Sequence, residues 1–261
     1  MRSAALIRQE IESSLAARIP AALSVRFQPA PELIPTGIAE VDDLLQGGLP
    51  LGSLAEITGP ACSGRSTLVS SLLAGATRQG AACAYVDVAD AFDPFSGAAI
   101  GINLGRLLWA RAGRTGKSDK LSWATLDQAL RATDLLLNAG GFRVIVLDMG
   151  DVRAEQVRRV PLATWYRYRL QAEKSQTLFL LLARTPCANS CASVVLHCQE
   201  ANERWEYAAG NQQGLPLLTG FEFSVKADRK RARARELAHP FGKKPASAAT
   251  TAWERTAQGA R

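Results

Sequence analysis

The chain has 261 residues, of which 47% are hydrophobic and 21% are charged, and it carries a formal net charge of +7. This apolar content is enough for one substantial core, and no apolar run reaches the length of a membrane-spanning helix, so we expect a globular rather than a membrane protein. The five cysteines are scattered, and the N-terminal residues lack the features of a signal peptide, which together favour a reduced protein of the cytoplasm.

The first predicted element is an amphipathic helix over residues 4–18. Ile7, Ile11 and Leu15 are spaced by four residues and would form one narrow apolar stripe, and Pro20 ends the pattern. Such a stripe packs on a neighbour, which is either this chain's own domain or another subunit.

Apolar runs of strand length alternate with helical patterns in the middle of the chain. The runs cover residues 53–58, 82–87, 143–148, 177–183 and 193–198. Continuous apolar strands separated by helices are typical of a mostly parallel sheet covered on both faces, and we therefore predict an α/β fold. A pair of antiparallel strands is predicted near the end of this region, over 205–214 and 220–227.

These patterns divide the chain into three parts. We predict an N-terminal helix and linker over 1–30, a core domain over 31–225 and a basic tail over 226–261. The tail carries ten Lys/Arg and three Asp/Glu, and so holds the whole excess of positive charge. Its densest part, 226–235, has few groups able to build a core and is typical of a solvated helix end or a flexible arm.

Residues 59–67 read GPACSGRST and match a phosphate-binding loop, Gly-x-x-x-x-Gly-Lys-Ser/Thr, except that Arg65 stands where the lysine is expected. Small residues let successive backbone N–H groups curl around phosphates at the start of a helix. A β-capable run precedes the loop, and leucines at helical spacing follow it. The predicted nucleotide-binding residues of the loop are Gly59, Pro60, Ser63, Gly64, Arg65, Ser66 and Thr67.

Arg65 changes the chemistry expected of this loop. A lysine is a compact charge that reaches the β- and γ-phosphates, whereas arginine has a larger planar fork with a different donor geometry. Arg65 can still hold a phosphate, but we expect it to position a transition state poorly. We therefore predict nucleotide binding without efficient hydrolysis, and the alternative is that the loop survives only as a tight turn of the fold.

Asp148 ends the apolar run 143–148, where a strand would carry its carboxylate to the sheet edge beside a bound magnesium ion. Ser66 would supply a hydroxyl ligand to the same ion. We therefore predict Ser66 and Asp148 as ligands of Mg²⁺. Strand ends are often acidic without such a role, so the prediction depends on the neighbouring loop.

The stretch from residue 34 to about 111 resembles the core of RecA recombinases in the order and spacing of its motifs. The resemblance rests on IPTGIAEVDDLLQGGLPLGSLAEITGPACSGRSTL, on CAYVDVADAFDP and on GINLGRLLWAR. Within the RecA superfamily the chain is most similar to the ImuA family, RecA-related accessory proteins of mutagenic translesion synthesis, because it is shorter and its sites are eroded. The resemblance implies binding of ATP with Mg²⁺, a relation to DNA repair, self-association through the N-terminal helix, and contact of Asp93 with the adenine edge.

The chain departs from the recombinase pattern at positions to which the resemblance gives a function. The glutamate that activates the attacking water corresponds to Ala89, and the neighbouring Asp90 is expected to point elsewhere. The aromatic residue that stacks on adenine corresponds to Ser96. Lys226 matches the first of two basic residues that reach a neighbouring subunit's ATP, while Asp228 stands near the second. The second DNA-binding loop is also far shorter, at RTPCANSCA.

Two basic surfaces are candidates for binding nucleic acid or a protein partner. In the first, arginines alternate with Trp165, Tyr166 and Tyr168, so aromatic rings would stack on bases while guanidinium groups neutralise phosphates. The alternative is an ordinary amphipathic helix with Leu162, Trp165 and Leu170 in the core. The second surface is the tail, which would attract polyanions, meet an acidic protein face or only add solubility. The candidate residues are Arg158, Arg159, Arg167, Arg169, Lys226, Arg229, Lys230, Arg231, Arg233 and Arg235.

Cys187, Cys191, His197 and Cys198 lie close together in the sequence, but their spacing does not match a zinc motif. On a strand, His197 and Cys198 would also face opposite sides. We therefore do not predict a metal site among them.

The first functional hypothesis is an accessory protein that assembles a mutagenic polymerase complex during DNA repair and SOS translesion synthesis. The resemblance implies as partners an inactive Y-family polymerase homologue (ImuB-like), a second replicative-type DNA polymerase subunit and RecA, with single-stranded DNA as a further ligand. The second hypothesis is a DNA-dependent ATPase of the RecA type that acts in homologous recombination. A third, suggested by RecA-related folds that regulate cell division, is a repressor that binds another protein without nucleic acid.

Overall fold

The computed structural model describes residues 13–14, 31–112, 122–206, 216–230 and 249–254. The chain divides into two compact units, Met1–Pro31 and Glu32–Arg261. In the first unit Ser13 and Ser14 are helical, and most of the predicted helix over 4–18 lies outside the described residues.

The described residues of the second unit form a large central sheet and a short ribbon. The ribbon consists of β1 (Leu33–Ile34) and β2 (Leu49–Pro50), which pair antiparallel. The strands of the large sheet are β3 (Ser53–Thr58), β4 (Cys83–Asp87), β5 (Leu107–Arg111), β6 (Val144–Asp148), β7 (Leu178–Ala183), β8 (Val194–Glu206), β9 (Leu217–Lys230) and β10 (Ala249–Glu254). Their order across the sheet is β10-β9-β8-β3-β7-β6-β4-β5.

The strands from β8 to β5 in this order are all parallel, whereas β9 pairs antiparallel with β8 and β10 pairs antiparallel with β9. The predicted α/β fold with a mostly parallel sheet is therefore confirmed. Residues 220–227 of the predicted antiparallel pair lie in β9, which pairs antiparallel with β8. Of the predicted partner strand 205–214, residues 205 and 206 end β8, and residues 207–214 lie outside the described part of the chain. Because the parallel strands share one direction, β3, β4, β6 and β7 all end at the same edge of the sheet.

Helices connect the parallel strands. Their bounds are α1 (Ala39–Leu45), α2 (Arg65–Arg78), α3 (Pro94–Ile100), α4 (Trp123–Ala139), α5 (Ala154–Val157) and α6 (Leu162–Ser175), with 3₁₀ turns at Leu104–Arg106 and Asn189–Cys191. The Ser122 side chain caps α4 by accepting from Thr125 N. Of the helices that the structure describes, none combines the length and the hydropathy needed to cross a bilayer.

The core lies on both faces of the sheet. Along β7, Leu180 and Leu182 join the cluster that packs under α2, whereas Phe179 and Leu181 join the opposite cluster with α4 and α6. This alternation explains the unbroken apolar run, since both side-chain directions of the strand end in a core.

Two sequence predictions differ from the structure in detail. The buried residues of α6 include Trp165 and Tyr168, while Leu162 and Leu170 are 48% and 45% exposed, so the predicted core face of this helix is wrong in two of its three residues. The Tyr168 hydroxyl donates to Leu130 O at 2.7 Å, so the polar atom of this ring is paired although the side chain is buried.

The boundary predicted between core and tail, at residue 226, lies inside β9. Residues 226–230 continue that strand, and residues 249–254 form β10. The tail is therefore not a separate arm over these two stretches. Residues 231–248 and 255–261 lie outside the described part of the chain.

Candidate functional site: a phosphate loop at the sheet edge

The phosphate loop connects the end of β3 to the start of α2, as its sequence predicts. Gly59 and Gly64 have φ angles of +152° and +85°. A Cβ atom on Gly59 would lie 2.3 Å from Cys198 O, and one on Gly64 would lie 2.5 Å from the ring of Phe223. Both glycines are therefore required, because β8 and β9 pack closely against the loop.

The backbone of this loop fits a phosphate group. It leads into the N-terminus of a 14-residue helix, where unpaired N–H groups and the helix dipole favour an anion. Ser66 and Thr67 are exposed in the first turn. Ser63 is only 2% exposed, and its Oγ makes no hydrogen bond within the described residues, so the loop holds a buried polar atom that lacks a partner.

The Arg65 side chain is buried in the protein. It is 9% exposed, and its Nη1 donates to Ala183 O, at the end of β7, at 2.9 Å. The guanidinium also lies against Gly150, since a Cβ there would be 3.2 Å from Nη1. In this conformation Arg65 bonds to the sheet; its predicted contact with a phosphate stays a prediction and would compete with the bond to Ala183 O.

Asp148 lies at the end of β6, as predicted, but both of its oxygens already have protein donors. The Tyr85 hydroxyl donates to Oδ2 at 2.6 Å, and Gly150 N donates to Oδ1 at 2.8 Å. Burial raises the pKa of Asp148 above its usual value, and burial also raises the pKa of Tyr85. The predicted contact of Asp148 with Mg²⁺ stays a prediction, and it would have to accommodate these two bonds and the burial of the carboxylate.

Asp87, at the end of β4, organises the loop that follows its own strand. Its carboxylate accepts from Ala91 N at 3.1 Å, from Phe92 N at 2.8 Å and from Trp109 Nε1 at 3.3 Å, and it is fully buried. Sequence analysis did not assign this residue a role of its own. The signal was available, since an aspartate at a buried strand end needs several donors.

Asp90 does not stand in for the missing water-activating glutamate. The residue has φ +58°, and its carboxylate forms a two-pronged ion pair with Arg111, both N···O distances being 2.6 Å. The guanidinium of Arg111 in turn lies 4.7 Å from the ring centre of Trp109. The expectation that the carboxylate points away from the position of Ala89 agrees with this geometry.

Asp93 caps α3. Its carboxylate accepts from Phe95 N and Ser96 N, both at 3.1 Å, and also from the Ser96 hydroxyl. Bonds from Ser96 and Phe95 lower the pKa of Asp93, so the carboxylate stays ionised as the cap. The predicted contact of Asp93 with an adenine edge stays a prediction, and it would compete with these bonds.

Glu56 is a buried acidic residue for which no role was predicted from the sequence. It is fully buried on β3, and its Oε1 accepts from Cys187 N at 2.8 Å and from Ala188 N at 2.7 Å. Burial and the neighbouring Glu56 raise the pKa of the Cys187 thiol. The short segment after β7 is thereby pinned to β3. The signal in the sequence was a single charged residue within the apolar run SLAEIT.

In the first basic surface most of the arginines are exposed, whereas two of the three aromatic side chains are buried. Arg158, Arg159 and Arg167 are exposed and Arg169 is partly buried. Trp165 and Tyr168 are each 1% exposed and cannot stack on a base, whereas Tyr166 is 52% exposed. Arg167 pairs with Asp134 at 3.1 Å.

The second basic surface is described only in part. Lys226 is exposed on β9, where it pairs in register with His197. Arg229 and Lys230 belong to the same strand, and Arg231, Arg233 and Arg235 lie outside the described residues. All of these residues remain predicted binding residues.

The cysteines and histidine considered for zinc have other partners. His197 Nδ1 lies 2.6 Å from Thr58 Oγ1, while Cys198 is buried on the other side, where burial raises its pKa to about 12. Within the described ranges no three His, Cys, Asp or Glu side chains are grouped as metal ligands would be.

Comparison with known proteins agrees with this architecture. Residues 9–156, more than half of the chain, match the family model of the RecA N-terminal domain. The protein RecA of Ectopseudomonas oleovorans is 39% identical over 118 residues, which are 45% of this chain. The same alignment covers 31% of that RecA protein, so the chain matches less than a third of its relative's length. By its loop, its sheet and this match, the chain belongs to the RecA N-terminal domain family.

Proposed function

We propose that the chain is an accessory protein of DNA repair, of the ImuA type, which assembles a translesion polymerase complex and binds a nucleotide without hydrolysing it efficiently. The proposal rests on one observation: the charged side chains around the phosphate loop form bonds with other groups of the protein. Asp87, Asp90, Asp93 and Asp148 all accept bonds from protein donors, and Arg65 donates to Ala183 O.

Efficient hydrolysis needs preorganised charge at the reacting phosphate and a base beside the attacking water. A carboxylate bonded to a helix N-terminus, to a tyrosine or to an arginine is not available for either role. Residue 89, where the resemblance places the base, is an alanine. The loop backbone still fits a phosphate, which supports a bound nucleotide as a structural ligand.

The proposed partners are an inactive Y-family polymerase homologue, a second replicative-type DNA polymerase subunit and RecA. The exposed arginines near α5 and α6 and the basic residues that follow β9 supply charge for such partners or for single-stranded DNA. These surfaces could serve a chain without ATPase activity, because binding of a protein partner or of DNA does not require ATP hydrolysis.

The decisive experiment measures ATP turnover of the full chain with and without single-stranded DNA, beside a recombinase as positive control. We expect turnover near the background rate, with no change on Asp148→Ala. The matched control is Asp43→Ala, an exposed aspartate of α1. DNA-stimulated turnover that Asp148→Ala abolishes would overturn the proposal and favour the alternative, a recombination ATPase.

A second experiment separates the two basic surfaces. Truncation at residue 226 would remove part of β9, so charge neutralisation is the better design. Replacing Arg231, Arg233 and Arg235 by alanine should lower the salt slope of single-stranded DNA binding by about 2, since each phosphate contact contributes about 0.7. An unchanged slope, together with a reduced slope for the double variant Arg158→Ala and Arg159→Ala, would place DNA binding near α6 instead.

A further inference from the structure

We propose that Arg65 takes the place of a bound nucleotide in joining the phosphate loop to the ends of β6 and β7. This part of the fold then keeps one conformation with or without ATP. The inference goes beyond the proposed function, because it concerns how the domain is held together and would apply to any role of the chain.

The first step is the position of the guanidinium. Arg65 opens α2, yet its side chain reaches across the sheet edge and donates to Ala183 O at 2.9 Å. An arginine cannot lose its charge in a protein, so a buried guanidinium requires acceptors within the fold. Ala183 O is such an acceptor at the last residue of β7, and the guanidinium lowers the pKa of the nearby Asp148, opposing the larger effect of burial.

The second step is that the segments leaving β6 and β7 are bonded to each other. Met149 N donates to Leu182 O at 2.9 Å, and Arg184 Nε donates to Gly150 O at 3.0 Å. A Cβ atom on Gly150 would lie about as close to Arg65 Nη1, at 3.2 Å, as to Asp148 Oδ1, at 3.1 Å. The start of α2 is therefore bonded through Arg65 to the end of β7, and the guanidinium packs against Gly150 in the segment after β6.

The third step concerns the segment after β7. Glu56 Oε1 accepts from Cys187 N and Ala188 N, so the segment is fixed to β3 a few residues beyond Ala183. A nucleotide phosphate that attracted Arg65 would have to compete with its bond to Ala183 O. Breaking that bond would remove a charged hydrogen bond from a buried guanidinium, so ligand binding would gain little by rearranging these strand ends.

Hydrogen exchange of the full chain, with and without MgATP, tests the inference in the segments covering 149–151 and 183–193. We expect the wild type to exchange at the same rates in both conditions. Without nucleotide, Arg65→Ala and Arg65→Lys should exchange about tenfold faster in these segments, because the charged bond to Ala183 O is lost or weakened. Arg78→Ala is the control, since Arg78 is an exposed residue at the other end of α2.

Protection of the wild type that rises on addition of MgATP would overturn the inference, and so would unchanged exchange in both Arg65 variants. Should Arg65→Ala fail to fold by circular dichroism, Arg65→Lys and the wild-type comparison still decide the question. The outcome is separate from the proposed function, which rests on ATP turnover and DNA binding rather than on exchange rates.

Discussion

The phosphate loop and the aspartates around it differ in how many of their polar groups are bonded within the fold. The loop keeps its two glycines in their required conformations, its exposed Ser66 and Thr67 and its position before a long helix. The aspartates that follow β4 and end β6 are instead bonded to amides, to an arginine and to a tyrosine of the same chain. The backbone geometry of a phosphate loop is thus present, while the charged side chains beside it bond to groups of the fold.

This difference has a physical reason. The main-chain geometry that would bind a phosphate is also needed for packing the loop against β8 and β9, so changes there would disturb the fold. A carboxylate side chain has no such backbone constraint, but it must still find donors when it is buried. We therefore predict that replacing a more deeply buried aspartate lowers the free energy of unfolding by a larger amount.

The largest effect is expected for Asp87→Asn. Asp87 is fully buried and accepts hydrogen bonds from three N–H donors. In the variant, the amide nitrogen of asparagine would face at least one of these donors without an acceptor. The free energy of unfolding should fall by about 3–4 kcal/mol. Urea unfolding followed by circular dichroism measures this, with the exposed Asp43→Asn as the control. A loss below about 1 kcal/mol would show that these bonds contribute little.

Gly64→Ala tests how strictly the packing against β9 restricts the phosphate loop. The residue has φ +85°, and a Cβ atom would meet the Phe223 ring at 2.5 Å, so we expect a loss of about 2–3 kcal/mol in unfolding free energy. Gly75→Ala in the same helix is the matched control, because nothing lies within 4 Å of its added Cβ. That variant should gain about 0.5–1 kcal/mol. Equal effects of the two changes would show that β9 does not restrict the loop.

Tyr85→Phe removes one donor to Asp148 and should cost about 1–2 kcal/mol of unfolding free energy at neutral pH. The bond from Tyr85 opposes the burial that raises the pKa of Asp148, so the variant should raise that pKa further. The loss should therefore shrink as the pH falls through the pKa of Asp148, since a protonated carboxyl accepts less strongly. Tyr166→Phe, on an exposed tyrosine, should show no loss at any pH. A loss independent of pH would contradict this account.

The smallest effect is expected for Asp90→Asn. The ion pair with Arg111 is largely exposed, and asparagine tolerates the positive φ of this position. The melting temperature should change by less than about 2 °C, as in the control Asp127→Asn, which breaks another exposed pair. A fall of more than about 5 °C would show that the exposed fraction of an aspartate does not predict how much its replacement destabilises the protein.

Most of the architecture was predictable because it depends on local pattern. Four of the five apolar runs proposed as strands contain β3, β4, β6 and β7, and the fifth covers the start of β8, whereas β5 was not among them. The loop leads into α2 where its glycines indicate. The core face of α6 was not predictable in the same way, because the Tyr168 hydroxyl finds Leu130 O on another helix. The end of the core was also misplaced, since the charged residues from Lys226 to Lys230 pair with β8 as part of β9.

The sequence by itself determined the kind of fold, the place of the phosphate loop and the absence of a lysine and a glutamate from their expected positions, since each of these is written in a run of neighbouring residues. Only the tertiary structure decided where Arg65 points, which donors hold Asp87 and Asp148, and that Glu56 anchors a segment more than a hundred residues away. Such bonds join separate strands, and their partners become neighbours only when the sheet is assembled.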